Sequence, residues 1–299
     1  MVGVASEHLR TRRVALATCA EVPELEEDER PLVAALLDRD VDAVPAVWDA
    51  PGLDWAAFDL VVVRSTWDYA ERRREFLDWV ASLPRVLNPP EVLGWSTDKQ
   101  RYLSELAAAG VPVVPTEFVR PGDTFVPPSE PFVVKPAVSA GGRTSARFRG
   151  GDRRAAELVH RIHVDGRVAM VQPDLGDVTE IALVFIAGLY SHAVHRRVPL
   201  PEAGAREVFY LDEELSPGRP TPEELSIAHD ALRVAPSPQL YGRIDIAAGC
   251  VVELELAEPS LYLGFGEGAV DRFADAIARE AAASPRRRIS AENGPTTRQ

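Results

Sequence analysis

Short apolar runs alternate with amphipathic stretches along the first third of the chain. Runs of strand length begin near Val14, Val41 and Leu60, and the third contains three consecutive valines. Such unbroken runs are typical of parallel strands that are buried on both faces. Between them, apolar residues three and four positions apart predict helices over 27–39 and 71–83. This alternation predicts a small open α/β domain at the start of the chain.

The remainder of the chain has a second pattern, in which neighbouring strands are joined by short turns. Thr97 as an N-cap and Gly110 as a stop predict a helix over 97–109. Further helices are predicted at 155–162, 222–234 and 271–282. Further strands are predicted at 113–116, 132–135, 169–172, 180–186, 189–195, 243–247 and 251–256. Short turns between strands are typical of antiparallel pairs, so we expect α+β units here.

The predicted elements group into five segments along the 299 residues. A flexible N-terminus and a polar, disordered tail enclose an N-terminal α/β domain, a central α+β unit and a C-terminal α+β unit. Their predicted bounds, in chain order, are 1–12, 13–96, 97–171, 172–283 and 284–299.

Composition excludes several classes of protein. The chain has 33 basic and 46 acidic residues, a formal charge of −13, which disfavours a broad nucleic-acid surface. Cys19 and Cys250 cannot build a disulfide framework or a zinc site. No apolar run approaches the ~20 residues of a membrane span, and the first residues lack a signal-peptide pattern. We therefore expect a cytoplasmic protein without membrane or nucleic-acid partners, and a homo-oligomer is left open.

An acidic pattern near the C-terminus predicts a metal site. Arg243 and Asp245 alternate on one predicted strand, and Glu253 and Glu255 alternate on the next, among apolar neighbours. Buried carboxylates that lie together require a cation. Oxygen ligands suit Mg²⁺, and Arg243 would neutralise phosphate or a developing oxyanion beside it. The alternative is a solvent-facing strand with alternating charges.

Two lysines and a glycine-rich turn offer phosphate contacts. Lys135 ends an apolar strand and Lys99 opens a helix, so each could reach a phosphate as a point charge. The turn at Ser139 contains Gly141 and Gly142, whose backbone N–H groups could approach phosphates closely. The alternatives are surface lysines and a simple hairpin.

The segment after the third strand offers groups for a small zwitterion. Ligands of open α/β sheets bind at this strand edge, where Arg64 would hold a carboxylate and Asp68 an ammonium. Ser65 and Trp67 add a hydroxyl and an aromatic wall. Arg196, on a later strand, could hold phosphate or a substrate carboxylate. The alternative for the first segment is a helix cap with a packed tryptophan.

The order of these motifs, from about Lys99 to Leu263, resembles the ATP-grasp superfamily. The resemblance implies an α/β fold, α+β overall, in which an N-terminal parallel domain on the substrate side precedes two subdomains that clasp ATP. It implies that the central subdomain spans 97–171 and that the C-terminal subdomain, 172–283, carries the metal site. It also implies a magnesium-dependent ligase that uses ATP, with two ions and Mn²⁺ as a substitute.

The resemblance also implies a role for individual residues. Lys99 and Lys135 would hold the phosphates, and Glu180 would bind the ribose. The mobile loop and the adenine-reading segment would be formed by Ser139, Gly141, Gly142, Gln172, Asp174 and Leu175. The metal ligands would be Asp245, Glu253 and Glu255, with Arg243 as the catalytic arginine. Many members have Asn where Glu255 stands, so this chain carries an extra charge.

Three short strings, RSTWDY, QPDL and ELELAEPSLYL, resemble the cyclo-ligases that convert O-ureido-D-serine to D-cycloserine. That resemblance implies an acyl phosphate, ring closure, and release of CO₂, NH₃, ADP and phosphate. The implied ligands of the amino-acid-like substrate are Arg64, Ser65, Trp67, Asp68, Arg196 and Ser260. Two alternatives remain open: a ligase that joins an amino acid to a separate amine or peptide, and a non-catalytic nucleotide-binding module.

Overall fold

The computed structural model describes residues 11–142, 144–176, 178–198, 201 and 213–283. Residues 1–10 of the predicted flexible N-terminus lie outside this part, as does the whole predicted tail, 284–299. The described residues form three sheets with helices packed between them. None of the helices in the described ranges is both long and apolar enough to cross a bilayer.

The first sheet is parallel, in the order β2-β1-β3-β4, as the unbroken apolar runs predict. Its strands are β1 (Arg12–Thr18), β2 (Val41–Val47), β3 (Leu60–Val63) and β4 (Val86–Leu87). Helix α1 spans Pro31–Leu37 and α2 spans Arg73–Ser82. The helix predicted over 27–39 is thus shorter. A 3₁₀ turn, Glu27–Glu29, precedes Pro31, whose fixed φ suits a first helical turn.

The second sheet is antiparallel, in the order β5-β8-β6-β7. Its strands are β5 (Glu117–Val119), β6 (Phe132–Pro136), β7 (Ala146–Phe148) and β8 (Ala169–Pro173). Helix α5, Ala155–Val164, packs on one face. The strand predicted at 113–116 is wrong: only an isolated bridge joins Val113 to Val251. Pro115 has no N–H group to continue the ladder.

The third sheet has the order β11-β10-β9-β12-β13. Its strands are β9 (Glu180–Ile186), β10 (Leu189–Arg197), β11 (Glu214–Gly218), β12 (Tyr241–Ala247) and β13 (Cys250–Glu255). Side chains alternate between its faces: Leu183 and Phe185 join the core beneath α6 (Pro222–Val234), and Val184 and Ile186 join the core beneath α7 (Ala269–Ala282).

Two consecutive helices connect the first sheet to the second. Helix α3, Pro90–Ser96, lies in a segment for which no helix was predicted, and α4 spans Lys99–Ala108. The prediction that Thr97 caps the second helix was wrong, because Thr97 follows the last turn of α3. The cap is Asp98, whose side chain accepts a hydrogen bond from the Arg101 N–H at 3.2 Å.

Buried hydrogen bonds and exposed ion pairs hold the first sheet and its helices against the third sheet and α7. Asn88, at the end of β4, donates hydrogen bonds to the carbonyl oxygens of Tyr241 (3.0 Å) and Leu256 (2.6 Å). Arg39, after α1, contacts Asp275 (2.6 Å) and Asp271 (3.0 Å) of α7. The carboxyl edge of the parallel sheet therefore faces the third sheet, at the place where a site could form.

Candidate active site

A cleft of about 1300 Å³, including its open mouth, lies between the second and third sheets. Strands of both sheets and the loop after β6 supply its walls. The residues predicted from sequence that line it are Trp67, Lys99, Lys135, Ser139, Gly141, Gly142, Gln172, Asp174, Leu175, Glu180, Arg196, Arg243, Glu253, Glu255 and Ser260. Residues from distant parts of the sequence thus converge on one space.

The acidic hairpin is formed by β12 and β13. Asp245 pairs with Glu253, and Arg243 pairs with Glu255, across the antiparallel ladder. One carboxylate oxygen from each of Asp245, Glu253 and Glu255 lies within 4.8 Å of the others. Asp245 is 1% exposed and the two glutamates are half-buried. This set of converging hard oxygen donors fits Mg²⁺.

Two arginines hold Asp245, Arg243 from the same strand, β12, and Arg196 from β10. Arg243 Nε donates to Asp245 Oδ1 at 2.9 Å, and Arg196 Nη1 donates to Oδ2 at 2.6 Å. Arg243 Nη2 also lies 3.1 Å from Glu255 Oε1. Burial opposes both arginine charges, but the carboxylates, Asp245 foremost, raise the pKa of each arginine well above its usual value. Asp245 itself does not line the cleft and lies beneath it.

The pKa values of the two hairpin glutamates are shifted in opposite directions. Burial raises the pKa of Glu255 well above its usual value, with Glu253 adding to the rise and Arg243 opposing it. Burial also acts on Glu253, but Lys99 and Lys135 outweigh it and hold the pKa of that carboxyl well below its usual range. Glu253 is therefore the more acidic oxygen donor of the pair.

The two predicted lysines come from different elements and reach the same space. Lys99 Nζ lies 2.7 Å from Glu253 Oε1 and donates to the Ser139 carbonyl at 2.9 Å. Lys135 lies on β6, and burial lowers its pKa although Glu253 opposes the change. A pair of cations beside the acidic hairpin is an arrangement that can bind phosphates.

The glycine-rich loop has the backbone that its sequence requires. Gly141 and Gly142 have φ angles of 62° and 71°, in the left-handed region that glycine adopts without strain. Ser139 Oγ donates to the Pro136 carbonyl at 3.2 Å, which ties the start of the loop to β6. Arg143, in the same loop, lies outside the described residues.

The end of β8 and the start of β9 also line the cleft. Gln172 donates its side-chain N–H to Thr116 Oγ1 at 2.8 Å, and Asp174 Oδ1 accepts from the Gly176 N–H at 2.9 Å. Glu180 Oε2 lies 3.3 Å from Arg196 Nε. Burial raises the pKa of Glu180, while Arg196 opposes the change.

The residues of the predicted substrate segment differ in whether they line the cleft. Trp67 lines the cleft, whereas Arg64, Ser65 and Asp68 do not. Arg64 is 1% exposed and forms a buried ion pair with Glu29.

The other two side chains also have protein partners. Ser65 Oγ donates to Glu29 Oε2 at 3.2 Å. Asp68 accepts from Trp48 Nε1 at 2.9 Å and pairs with Arg72. The assignment of Arg64, Ser65 and Asp68 as substrate ligands stays a prediction.

Sequence reasoning did not single out several charged residues at or near the site. Glu258 lines the cleft, and burial raises its pKa to about 7 against the opposing charge of Lys99. An acid inside the apolar stretch 256–263 was the available signal. Arg147 also lines the cleft, from the short strand β7. Glu29, the partner of Arg64, belongs to an acidic run, a pattern that is typical of a solvated surface.

Comparison with known proteins agrees with this geometry. Residues 14–88 match the family model described as the N-terminal domain of D-cycloserine synthetase DcsG. The cycloserine biosynthesis protein DcsG of Streptomyces lavendulae is 34% identical, over 89% of this chain and 97% of that protein. The crystal structure of D-cycloserine synthetase DcsG superposes with a TM-score of 0.79 at 30% identity, covering 90% of this chain and 99% of the other.

More distant structures share the fold alone. A D-alanine–D-alanine ligase from Bacillus anthracis, complexed with ATP, superposes with a TM-score of 0.63 at 14% identity, covering 90% of this chain and 97% of that one. An ATP-grasp protein with a RimK domain from Sphaerobacter thermophilus gives 0.61 at 19% identity, covering 89% and 98%. The 34% identity to the S. lavendulae protein over nearly the whole chain shows that the chain belongs to the DcsG family of ATP-grasp ligases.

Proposed function

We propose that this ligase converts O-ureido-D-serine, ATP and water to D-cycloserine, ADP, phosphate, CO₂ and NH₃. The observation that carries the proposal is the convergence of Lys99, Lys135, Arg243 and the acidic hairpin on one cleft. The 34% identity to the cycloserine biosynthesis protein of S. lavendulae supports the choice of product.

ATP would lie along the cleft between the second and third sheets. Lys99 and Lys135 bind its phosphates, and the backbone of Gly141 and Gly142 closes over them. The adenine lies against the strand end that holds Gln172, Asp174 and Leu175, and Glu180 binds the ribose. Support comes from the placement of these groups: Lys99 pairs with Glu253 of the acidic hairpin, and Glu180 begins the strand that pairs with β12.

The acidic hairpin would hold two Mg²⁺ ions, for which Mn²⁺ can substitute. Asp245, Glu253 and Glu255 are the proposed ligands, because their oxygen atoms converge within 4.8 Å. When bound, the ions neutralise the phosphate charge that the lysines leave uncompensated. Arg196 and Arg243 orient Asp245 from two sides, so that the position of this carboxylate is fixed in advance.

The reaction would begin when the substrate carboxylate attacks the γ-phosphorus of ATP, forming an acyl phosphate and releasing ADP. Arg243 stabilises the transferring phosphoryl group and then the tetrahedral oxyanion, since its guanidinium lies beside the hairpin. The nitrogen of the N–O bond attacks the acyl carbon and displaces phosphate. Water then removes the carbamoyl group as CO₂ and NH₃. Because the nucleophile belongs to the same molecule, one substrate pocket is sufficient.

The substrate would lie at the end of the cleft formed by Trp67, Arg196 and Ser260. Trp67 belongs to the N-terminal domain, and its ring nitrogen donates to the Glu258 carbonyl at 3.4 Å. This contact connects the N-terminal domain to the loop that follows the acidic hairpin.

Release of ADP in the presence and absence of amino acids tests the ligase chemistry. We expect O-ureido-D-serine alone to stimulate ADP release, without an added amine. Stimulation that requires a second amine would instead support a ligase that joins two molecules. ATP hydrolysis that responds to no amino acid would contradict the proposal and favour a nucleotide-binding module.

A further inference from the structure

Glu258 is a buried acid on the loop that follows β13. It is 7% exposed, and it lines the cleft together with Trp67 and Ser260. Trp67 Nε1 donates to the Glu258 carbonyl at 3.4 Å, which ties this loop to the N-terminal domain. Glu258 therefore lies at the end of the cleft that we assign to the substrate.

The Glu258 carboxylate has no counter-ion of its own. Among the described residues, no basic side chain forms a salt bridge with it, since Lys99 pairs with Glu253 and Arg243 pairs with Glu255. The hydrogen bond that favours its ionised form comes from its own backbone N–H. A carboxylate that is buried without a paired cation is costly, and a ligand that supplies the cation removes that cost.

The other glutamates that line the cleft, within the part of the chain that the structure describes, each have a basic partner. The pairs are Glu253–Lys99 at 2.7 Å, Glu255–Arg243 at 3.1 Å, Glu180–Arg196 at 3.3 Å and Glu213–Arg196 at 3.6 Å. Glu26, which does not line the cleft, accepts a hydrogen bond from Ser260 Oγ at 2.9 Å. Glu258 differs from all of them, because it borders the open space with its charge uncompensated.

The proposed substrate has one cationic group. An α-amino acid carries an ammonium beside the carboxylate that is activated, and this ammonium needs an anionic partner near the reaction centre. The loop of Glu258 reaches that centre, because Arg243 Nη1 donates to the Ser260 carbonyl at 3.1 Å. We propose that Glu258 binds the α-ammonium of the substrate. The inference rests on the proposed function and adds to it a residue that selects amino acids over other carboxylic acids.

The acidity of Glu258 agrees with this role. Burial raises the pKa of Glu258 to about 7, although the charge of Lys99 opposes the change. A bound ammonium adds a second opposing charge and holds the carboxylate in its ionised form. A ligand without an amino group leaves the carboxylate as it is, so the contact favours only ligands that carry the ammonium.

The test compares Glu258→Gln with Glu267→Gln, a matched variant at an exposed acid that also follows β13. Calorimetry measures the binding of O-ureido-D-serine and of its deamino analogue, 3-(ureidooxy)propanoate, in the presence of Mg²⁺ and a non-hydrolysable ATP analogue. We expect Glu258→Gln to weaken binding of the amino acid about ten- to a hundredfold, the worth of a hydrogen bond between charged groups. Binding of the deamino analogue and of the nucleotide should not change, and Glu267→Gln should bind like the wild type.

Two further measurements separate this contact from a structural role. The thermal midpoint of Glu258→Gln should not fall, because no cation of the protein loses its partner. Glu258→Asp keeps the charge and should recover part of the lost affinity. Equal weakening for both ligands, or no weakening for either, would overturn the proposal.

A role in proton transfer would give a different result. Glu258→Gln would then bind O-ureido-D-serine like the wild type but stop at the acyl phosphate, which hydroxylamine traps as a hydroxamate. That outcome would overturn the ammonium contact and make Glu258 the acceptor of the proton that the attacking nitrogen loses.

The same comparison with D-serine and 3-hydroxypropanoate separates this inference from the proposed function. These two ligands also differ in the ammonium, and neither can form the ring. If Glu258→Gln weakens binding of the amino acids alone but the wild type forms no D-cycloserine, the proposed function fails and the ammonium contact stands. If the wild type forms D-cycloserine but Glu258→Gln shows no such selectivity, only the ammonium contact fails.

Discussion

At the scale of single residues, the acidic hairpin combines two roles that one substitution can separate. Asp245 neutralises two buried arginines, whereas Glu253 faces the cleft and pairs with Lys99 at 2.7 Å. Replacing Asp245 would disturb folding as well as catalysis, because it leaves two buried cations uncompensated. Glu253 is the better residue for a test of the metal site.

We expect Glu253→Gln to lower kcat by about a hundredfold or more, a loss of the size found when one stabilising group is removed from an active site. The thermal midpoint should change little. A magnesium titration of ADP release should show a weaker dependence on the ion than in the wild type. Exposed Glu267→Gln is the control. Wild-type turnover in Glu253→Gln would mean that the metal site lies elsewhere.

Arg64 tests whether a residue predicted to bind substrate instead stabilises the fold. Arg64→Met leaves Glu29 buried without its partner. We therefore expect the free energy of unfolding, measured in urea, to fall by about 3–5 kcal/mol. The double variant Arg64→Met/Glu29→Gln should recover most of this loss. Unchanged stability with a raised KM for the amino acid would contradict the structural role and support the sequence-based prediction.

Glu26 gives a pH dependence of stability. Its pKa is about 7 in the folded protein and 4.5 is the ordinary value, so the folded state binds the proton more tightly. Its contribution is therefore fully present below pH 4.5 and is lost as pH rises through 7. Since water reaches part of the side chain, we expect the total to be on the order of 1–2 kcal/mol.

Urea unfolding of Glu26→Gln and of the wild type between pH 5.5 and 8.5 measures this contribution. We expect the variant to gain stability relative to the wild type as pH rises, and the difference to level off above the pKa of Glu26. A difference that is constant across this range would contradict the raised pKa.

The strand pairing of the acidic hairpin was predictable from sequence, because local alternation carries that signal. Arg243, Asp245, Glu253 and Glu255 stand in two adjacent strands, and the short turn between them determines their pairing. The partner of Arg64 could not be found in this way. Glu29 lies 35 positions earlier in an acidic run, and only the tertiary structure brings the two together.

At the scale of elements, the long periodic segments were predicted well and the junctions were not. Helix α6 has the predicted bounds, because Thr221, Pro222 and Glu224 form a complete N-terminal signal. The α3–α4 junction contains two adjacent cap-forming residues, Thr97 and Asp98. Sequence alone did not show that a helix ends at the first and another begins after the second.

Asp98 provides a test of this boundary. Asp98→Ala removes the side chain that caps α4, and we expect a loss of about 1 kcal/mol in unfolding free energy. Because Lys99 is the first residue of α4, the KM for ATP should also rise. Asp98→Asn keeps a capping group and is the matched control. Equal stability of the alanine variant and the wild type would place the helix start elsewhere.

At the scale of the whole molecule, the order of motifs implied an ATP-grasp ligase, and relatives confirm it. The relative placement of the three sheets was not accessible, because it depends on contacts between distant segments. Asn88 forms a hydrogen bond with Tyr241, which lies 153 positions later in the sequence. Arg39 forms one with Asp275, which lies 236 positions later. These contacts bring Glu26, from the start of the chain, to the loop after the acidic hairpin.

Mass spectrometry of the products formed from O-ureido-D-serine, ATP and Mg²⁺ tests the central claim most directly. We expect D-cycloserine to accumulate in proportion to ADP, and to be absent when ATP or Mg²⁺ is omitted or when Glu253→Gln replaces the wild type. Formation of ADP and phosphate with recovery of unchanged O-ureido-D-serine, and no D-cycloserine, would contradict the claim.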